Sequence, residues 1–419
     1  MELEKYSFGV GDRFGFEGVA QLRALQKAAA SGIRIVPVWN KSNREHAIVG
    51  SAPESTRKEA DDAVRESGWA DSFYVDADHI TLANVDPYIP SSDFFTIDIA
   101  DYIGRPVSRS LKASFVSAIA HHKGPHAIKG LQRPVEITDS VLEDFSNNYL
   151  GAIVEAGKVY RHIAGQRGAD NFVTEVSIDE ARNPQTAVEM LLILTALAKE
   201  GIPVQTIAPK FTGSFLKGVD YVGDPQKFLR DFSDYLAVIA YAVKTLDLPR
   251  NLKLSIHTGS DKFSLYPLIH RAILDMKAGV HLKTAGTTWL EELAGIAASG
   301  GAGLSFAKEI YQESYRRCDE LCQPYLAIIN IERPQLPSPA AVASWNSEEF
   351  VRALQHDPLC ESYNPHLRQL LHIGFKVAAA TMGRFTDMLK ECRRIVEDRV
   401  TGNLFERHIR PLFLEKQDS

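Results

Sequence analysis

The chain has 419 residues, 45% of them hydrophobic and 24% charged, and a formal net charge of −6. That length suits one large globular domain or two, and the acidic balance gives no reason to expect nucleic acid or an anionic membrane surface as a partner. No apolar run approaches the ~18 residues of a membrane span. The opening MELEKYSFGVGDRFGF lacks the basic start and apolar core of a signal peptide, so a cytoplasmic location is expected. Cys318, Cys322, Cys360 and Cys392 all lie in the last quarter of the chain. Only the first two are close in sequence, and no second pair completes a zinc-finger spacing, so free thiols are expected.

In chain order, the first strand is Tyr6 to Val10, running into a turn, Gly11-Asp12-Arg13-Phe14-Gly15, that suits close approach to a ligand. Val19 to Ala30 has helical apolar spacing, and Ile33 to Val38 is a second strand exiting through Asn40-Lys41-Ser42-Asn43-Arg44. Thr56 and Glu59 have capping-box spacing and predict a helix opening there and running through Glu66. Ser72 to Val75 and Phe94 to Ile97 are the third and fourth strands, ending in Asp76-Ala77-Asp78-His79 and Asp98-Ile99-Ala100-Asp101.

The rhythm then breaks into a mainly helical stretch, about 107–165, too long for a single crossover and therefore read as an insertion. Phe172 to Ile178 is the fifth strand, carrying Glu175 inside it and Asp179 at its exit; Thr186 and Glu189 cap the next helix. Val204 to Ile207 is the sixth, leaving through Pro209-Lys210-Phe211, and Asp224-Pro225 opens a helix to about Lys244. The stretch from Lys253 to Thr288 holds the last two strands, with a helix from Phe263 to Met276 between them. Each strand delivers a histidine just before a small-residue turn: His257 before Thr258-Gly259-Ser260, and His281 before Thr284-Ala285-Gly286. Thr288 and Glu291 are expected to cap the helix that follows.

Eight strand candidates, each followed by helical sequence, predict an α/β fold of the (β/α)8 TIM-barrel type. An open doubly wound sheet usually carries a glycine-rich phosphate turn after its first strand, and GVGDRFG lacks that spacing. Residues 1–303 are expected to be the barrel with its insertion, and 304–419 a helical extension packed on it, with a proline-rich joint at 333–339.

A barrel gathers the C-terminal ends of its strands at one rim, so distant residues meet there. His79, His257 and His281 are the three histidines so placed, and three imidazoles with open positions make a divalent-metal site able to polarise a carbonyl. Asp78 and Glu175 are the carboxylates placed to move protons. Arg13, Lys41, Arg44, Lys210 and Lys283 offer charge for a substrate carboxylate, and Asp12, Ser260 and Asp261, in turns after the first and seventh strands, are further substrate contacts. Asp76, Asp98, Asp101 and Asp179 are rim acids without an assigned role. Taken singly, each acid also fits a helix cap or a structural ion pair. His366 and His372 flank Arg368 in the extension and either reach the rim or only pack there.

The segments GVGDRFGF, DADHI, FFTIDIADYIG, EVSIDE, KGVDYVGD, KLSIHTGSDKFSLYP and HLKTAGTTWLEEL, in this order from about Gly9 to Leu293, resemble the tagaturonate/fructuronate epimerase family of hexuronate catabolism. RQLLHI, Arg368 to Ile373, is a further match, whereas Asn43 to Glu54 departs from the family pattern. The resemblance implies a metal-dependent carbohydrate epimerase interconverting D-tagaturonate and D-fructuronate. It also implies a divalent cation (zinc, manganese, cobalt or nickel) on His79, His257 and His281, with Asp78 and Glu175 as acid/base pair. The centre inverted lies β to the ketone, which points to retro-aldol cleavage and re-addition. Competing readings are a neutral ketohexose epimerase, a metal-dependent sugar aldolase or hydrolase, and a sugar-binding protein. The partner expected is a small sugar or sugar acid, with self-association into a homo-oligomer left open.

Overall fold

A computed structural model of the chain describes residues 1–414. Eight strands close into a barrel: β1 (Tyr6–Val10), β2 (Val36–Ser42), β3 (Tyr74–Ile80), β4 (Phe94–Asp98), β5 (Val173–Ser177), β6 (Val204–Ala208), β7 (Lys253–His257) and β8 (Val280–Lys283). Neighbours pair in parallel all the way round, and β1 meets β8 through Ser7 opposite His281 and Gly9 opposite Lys283. Gly9 is required by that closure, since a Cβ there would stand 2.9 Å from the Lys283 Cα. The expected fold class is the observed one.

Strand alternation divides the core in two. Outward-facing Phe8, Val10, Trp39, Val75, Phe95, Ile97, Ile207 and Leu254 join the large apolar layer beneath the surrounding helices. Inside the barrel, Leu3, Val36, Val38, Tyr74, Phe94 and Val173 form a separate apolar plug. Farther along the strands the buried interior turns polar, through Ser7, Asp76, Thr96, Glu175, Thr206 and Lys283. Polar groups in a dry interior are stable only where they satisfy one another, so this layer marks the end of the barrel where the chain gave up apolar packing.

Several local expectations need correction. The helix after β2 is Pro53–Ser67, so Thr56 lies inside its first turns and caps nothing; proline at the first helical position starts it instead. Thr288 is likewise the first residue of its helix, and its hydroxyl accepts a hydrogen bond from Gln21. β2 and β3 each run farther toward the rim than the apolar spacing suggests, because the residues that face the interior or the cavity there, Asn40 and Ser42 in β2 and Asp76, Asp78 and His79 in β3, are polar. The insertion contains the helices Arg109–Ala118, Asp139–Asn148 and Leu150–Arg167, but also a two-stranded antiparallel ribbon, Gly124–His126 with Val135–Ile137. The capping box at Thr186 and Glu189 is formed, and Asp224 caps Pro225–Thr245 as its sequence indicates.

After the barrel the chain is helical. Helix Arg393–Gly402 packs on Gly18–Ala30 and Thr288–Ala298, and the π-helical segment Asn403–Leu414 packs on Gly18–Ala30 and Tyr266–Asp275. Helix Pro365–Ile373 contributes Arg368 and His372, both fully buried. Residues 415–419 of the expected extension lie outside the described residues. Among the described residues no helix is long and apolar enough to cross a membrane.

Candidate active site

A cavity of about 460 Å³ opens at the C-terminal ends of the strands. Its wall carries Asp78 and His79 from β3, His257 from β7, Lys283 from β8, and Asp179 just beyond β5. Asp78 and His79 are consecutive, and in a regular strand they would face opposite sides of the sheet. Here the register of β3 on β4 slips between Ala77 and Ile80, and His79 takes φ 55°, a left-handed conformation unusual for a residue with a Cβ. The bulge turns both side chains into one cavity. Backbone strain of this kind costs of order 1–3 kcal/mol and persists where surrounding structure enforces it.

His79 and His257 meet edge to face, their ring centroids 5.1 Å apart. With Asp179 they form a group whose ligand atoms all lie within 4.8 Å of one another, close enough to share one metal ion. Each imidazole is oriented by a carboxylate: His79 Nδ1 lies 3.2 Å from Asp98, and His257 Nε2 lies 2.8 Å from Glu175. That leaves His257 Nδ1, at 3.1 Å from Asp179, and His79 Nε2 turned toward the shared space. Two nitrogens and an oxygen, each ring held by an outer carboxylate, are a donor set that fits a divalent first-row metal. Burial alone would lower both histidines' pKa values. Asp78, Asp179 and Asp98 overcome it at His79 and hold that ring well above its usual range, while Asp179 and Glu175 raise His257 to about 9. A field that keeps two protons on two imidazoles is one that a dication can take over by displacing them.

Lys283 is the hub of the polar layer. Its Nζ donates to Asp76 at 2.7 Å and Asp78 at 3.0 Å, lies 2.9 Å from Glu175, and also donates to Thr96. Burial works against its charge, but the three carboxylates keep it firmly protonated. Burial raises Asp76 to about 7 despite Lys283, whereas Lys283 and His257 outweigh burial at Glu175 and hold it well below the usual carboxylate range. Of these acids Asp78 faces the cavity; Glu175 is fully buried beneath it, fixed by Thr96, Thr206, His257 and Lys283.

The remaining sequence candidates divide cleanly. Arg13, Arg44 and Lys210 line the cavity. His281, expected as a third metal ligand, lies outside the His79–Asp179–His257 group. It sits two residues below Lys283 on the same inward face, with Nδ1 2.9 Å from Ser7 Oγ and its ring on Phe94 of the plug. Burial lowers its pKa to about 3, and its Nε2 has no partner among the described residues. Lys41 is not at the cavity because Asn40 and Ser42 are; alternation sends it outward among Glu59, Asp12 and Glu292. Asp12 closes its own turn, accepting backbone N–H bonds from Phe14 and Glu17. Ser260 accepts the Gly218 N–H, and Asp261 is buried against Arg368, so neither reaches the cavity. Their polar residue types suggested contacts that the tertiary structure uses for packing.

Asp179 was visible in the sequence only as one rim acid among several. The far wall, with Lys217, Tyr325, His372 and Phe375, comes from the segment after β6 and from the extension. Lys217 opens KGVDYVGD, one of the segments that carry the family resemblance, but nothing local marks it or Tyr325 as a cavity residue, because their placement depends on how the extension docks.

A protein-family model described as tagaturonate epimerase (UxaE) matches residues 1–400. Tagaturonate/fructuronate epimerase of Thermotoga maritima is 27% identical over 322 residues, covering 74% of this chain and 62% of that protein. The chain thus aligns with less than two thirds of that relative's length. Crystal structures of fructuronate-tagaturonate epimerase UxaE from Cohnella laeviribosi share the fold. The one-glycerol complex gives a TM-score of 0.81 and the native form 0.78, each at 22% identity over 98% of this chain and 82% of the other.

Proposed function

This chain belongs to the tagaturonate epimerase family, and from that premise we propose that it is an isomerase interconverting D-tagaturonate and D-fructuronate by retro-aldol cleavage and re-addition. The observation that carries the reading is a single cavity in which the His79–Asp179–His257 group adjoins the Asp78–Lys283–Glu175 chain. His79, Asp179 and His257 would hold a divalent cation, which when bound would polarise the ketone and stabilise the negative charge that develops there.

The two sugars differ at a hydroxyl-bearing carbon β to the ketone. The ketone acidifies only the α position, so direct enolisation leaves that centre untouched. Breaking the bond between the α and β carbons gives an enediolate and an aldehyde, and re-addition to the other face of the aldehyde inverts the centre. Asp78, the carboxylate of the layer that faces the cavity, takes the β-hydroxyl proton as the bond breaks and returns it after re-addition. Lys283 joins Asp78 to Glu175, so its ammonium stabilises Asp78 as the carboxylate before it takes the proton and still pairs with Glu175 once Asp78 is neutral. Glu175 serves as the second member of the acid/base pair through Lys283 and His257, being buried away from the cavity itself. The partly enclosed wall keeps the two fragments together between cleavage and re-addition.

Purified protein loaded with a divalent ion and incubated with D-tagaturonate in deuterated water tests both levels. D-Fructuronate without deuterium at the inverted carbon is the expected product. Stoichiometric deuterium at that carbon would replace the retro-aldol route with direct deprotonation, and absence of fructuronate would remove the substrate assignment.

A further inference from the structure

The cavity wall holds a second set of polar groups that the chemistry above does not use. Lys217 lies on the segment after β6, its backbone N–H donating to the Ile328 carbonyl at 2.8 Å. Its ammonium stands 5.5 Å from the centre of the Tyr325 ring. Arg44, just past the end of β2, lies over the same ring at 5.9 Å. An aromatic face holds a cation without neutralising it, so both charges remain available to an anion. Burial, then the neighbouring Arg13, lower Lys217 to about 8, with Glu45 and Glu180 acting in the opposite direction.

Two other cations of the wall, Arg13 and Lys283, are committed. Arg13 Nε bonds Glu45 at 2.8 Å and its Nη1 donates to the His372 carbonyl, while Lys283 is surrounded by three carboxylates. His372 itself is fully buried, lines the cavity, and neither ring nitrogen has a hydrogen-bond partner among the described residues. Burial, with Arg13 and Lys217 beside it, keeps the ring neutral, so it presents one N–H and one lone pair. Gly286 leaves room for it: a Cβ there would come within 2.8 Å of His372 Nε2. A buried imidazole with both nitrogens unsatisfied calls for a ligand, and the cations at its side specify an anionic one.

We propose that Lys217, Arg44 and His372 form the seat of the substrate carboxylate, so that the segment after β6 and the C-terminal extension select a ketohexuronate over a neutral ketohexose. This assignment rests on the epimerase reading, since the carboxylate of a ketohexuronate ends the carbon chain remote from the ketone and needs a seat apart from the acid/base group. The Lys217 and Arg44 charges would pair with the carboxylate oxygens and the His372 N–H would donate to one of them.

Steady-state kinetics of the metal-loaded enzyme on D-tagaturonate, for wild type, Lys217→Met, Lys217→Arg and His372→Asn, test the seat. Lys217→Met should raise KM about 10–30-fold, the loss expected for one charge-assisted hydrogen bond, with kcat changed less than about threefold. Lys217→Arg should recover most of that affinity, a rescue that a purely structural role for the lysine stem would not give. His372→Asn, if folded by thermal melting, should raise KM in the same direction. If wild type converts D-tagaturonate and Lys217→Met shows an unchanged KM, the seat is overturned while the epimerase reading stands. If wild type turns over D-tagatose but not D-tagaturonate, the epimerase substrate reading fails and the seat falls with it.

Discussion

Two buried networks in this protein are built from the same residue types and do opposite things. One surrounds Asp261: Arg368 Nη2 at 2.7 Å, His356 at 3.1 Å, Thr287 Oγ1 at 2.6 Å and His408 at 3.3 Å share its two oxygens. Arg368 spends its other nitrogens on the carbonyls of Gly218 and Leu354. The other network surrounds Lys283, where Asp76, Asp78, Glu175, Asp179 and Asp98 face one ammonium and two imidazoles. The first is closed, balanced and away from the cavity, and it ties the turn after β7 to the extension. The second is over-supplied with carboxylate and open to a cavity. A balanced buried network holds a fold together, whereas an unbalanced one beside a cavity waits for a cation and a substrate.

That contrast can be broken at either network. The largest effect is expected from His257→Ala. Metal analysis should find about one divalent ion per wild-type chain and far less in the variant, with turnover falling beyond the ~10–100-fold typical of losing an outer-sphere partner. Metal content equal to wild type would remove His257 from the site. Its folded stability should fall less than that of Arg368→Met, because Glu175 keeps Lys283, Thr96 and Thr206 as partners and Asp179 lines the cavity. Arg368→Met should do the reverse. It leaves Asp261 as a buried charge without its main partner, a change worth about 3–5 kcal/mol in denaturant unfolding. A variant as stable as wild type would show that the Asp261 network does not hold the extension in place.

A third, smaller effect separates the networks by acid. Burial would raise the Asp261 pKa, but Arg368 with His356 and His408 overcomes it and holds the group well below the usual range. A carboxylate depressed in the folded state contributes stability that is fully present above its unfolded pKa, about 3.9, and is lost as pH falls through the folded value. The stability difference between wild type and Asp261→Asn should therefore be level near neutral pH and shrink below about pH 4. A difference that held constant down to pH 2 would contradict the ion-pair assignment.

Legibility in the sequence followed the range of the forces involved. The eight strands could be read because inward and outward residues alternate over a few positions, and the helix starts at Thr186 and Asp224 because a cap is a local hydrogen bond. Thr56 and Glu59 show the limit: the spacing of a capping box is present, but Pro53 had already begun the helix. His79 and His257 could be found as histidines at strand ends. The exchange of His281 for Asp179 in the metal-sized group could not, because it depends on depth within the barrel and on how far each strand runs before it turns.

The sequence by itself determined the barrel, its rim and the family, since periodicity and long matching segments are properties of the chain alone. Only the tertiary structure decided which acids and bases share a site. The bulge at His79 puts two consecutive residues into one cavity, alternation sends Lys41 away from it, and the docked extension delivers His372 to its wall. Each outcome turns on direction and depth, which the closure of eight strands fixes and a linear order of residues does not.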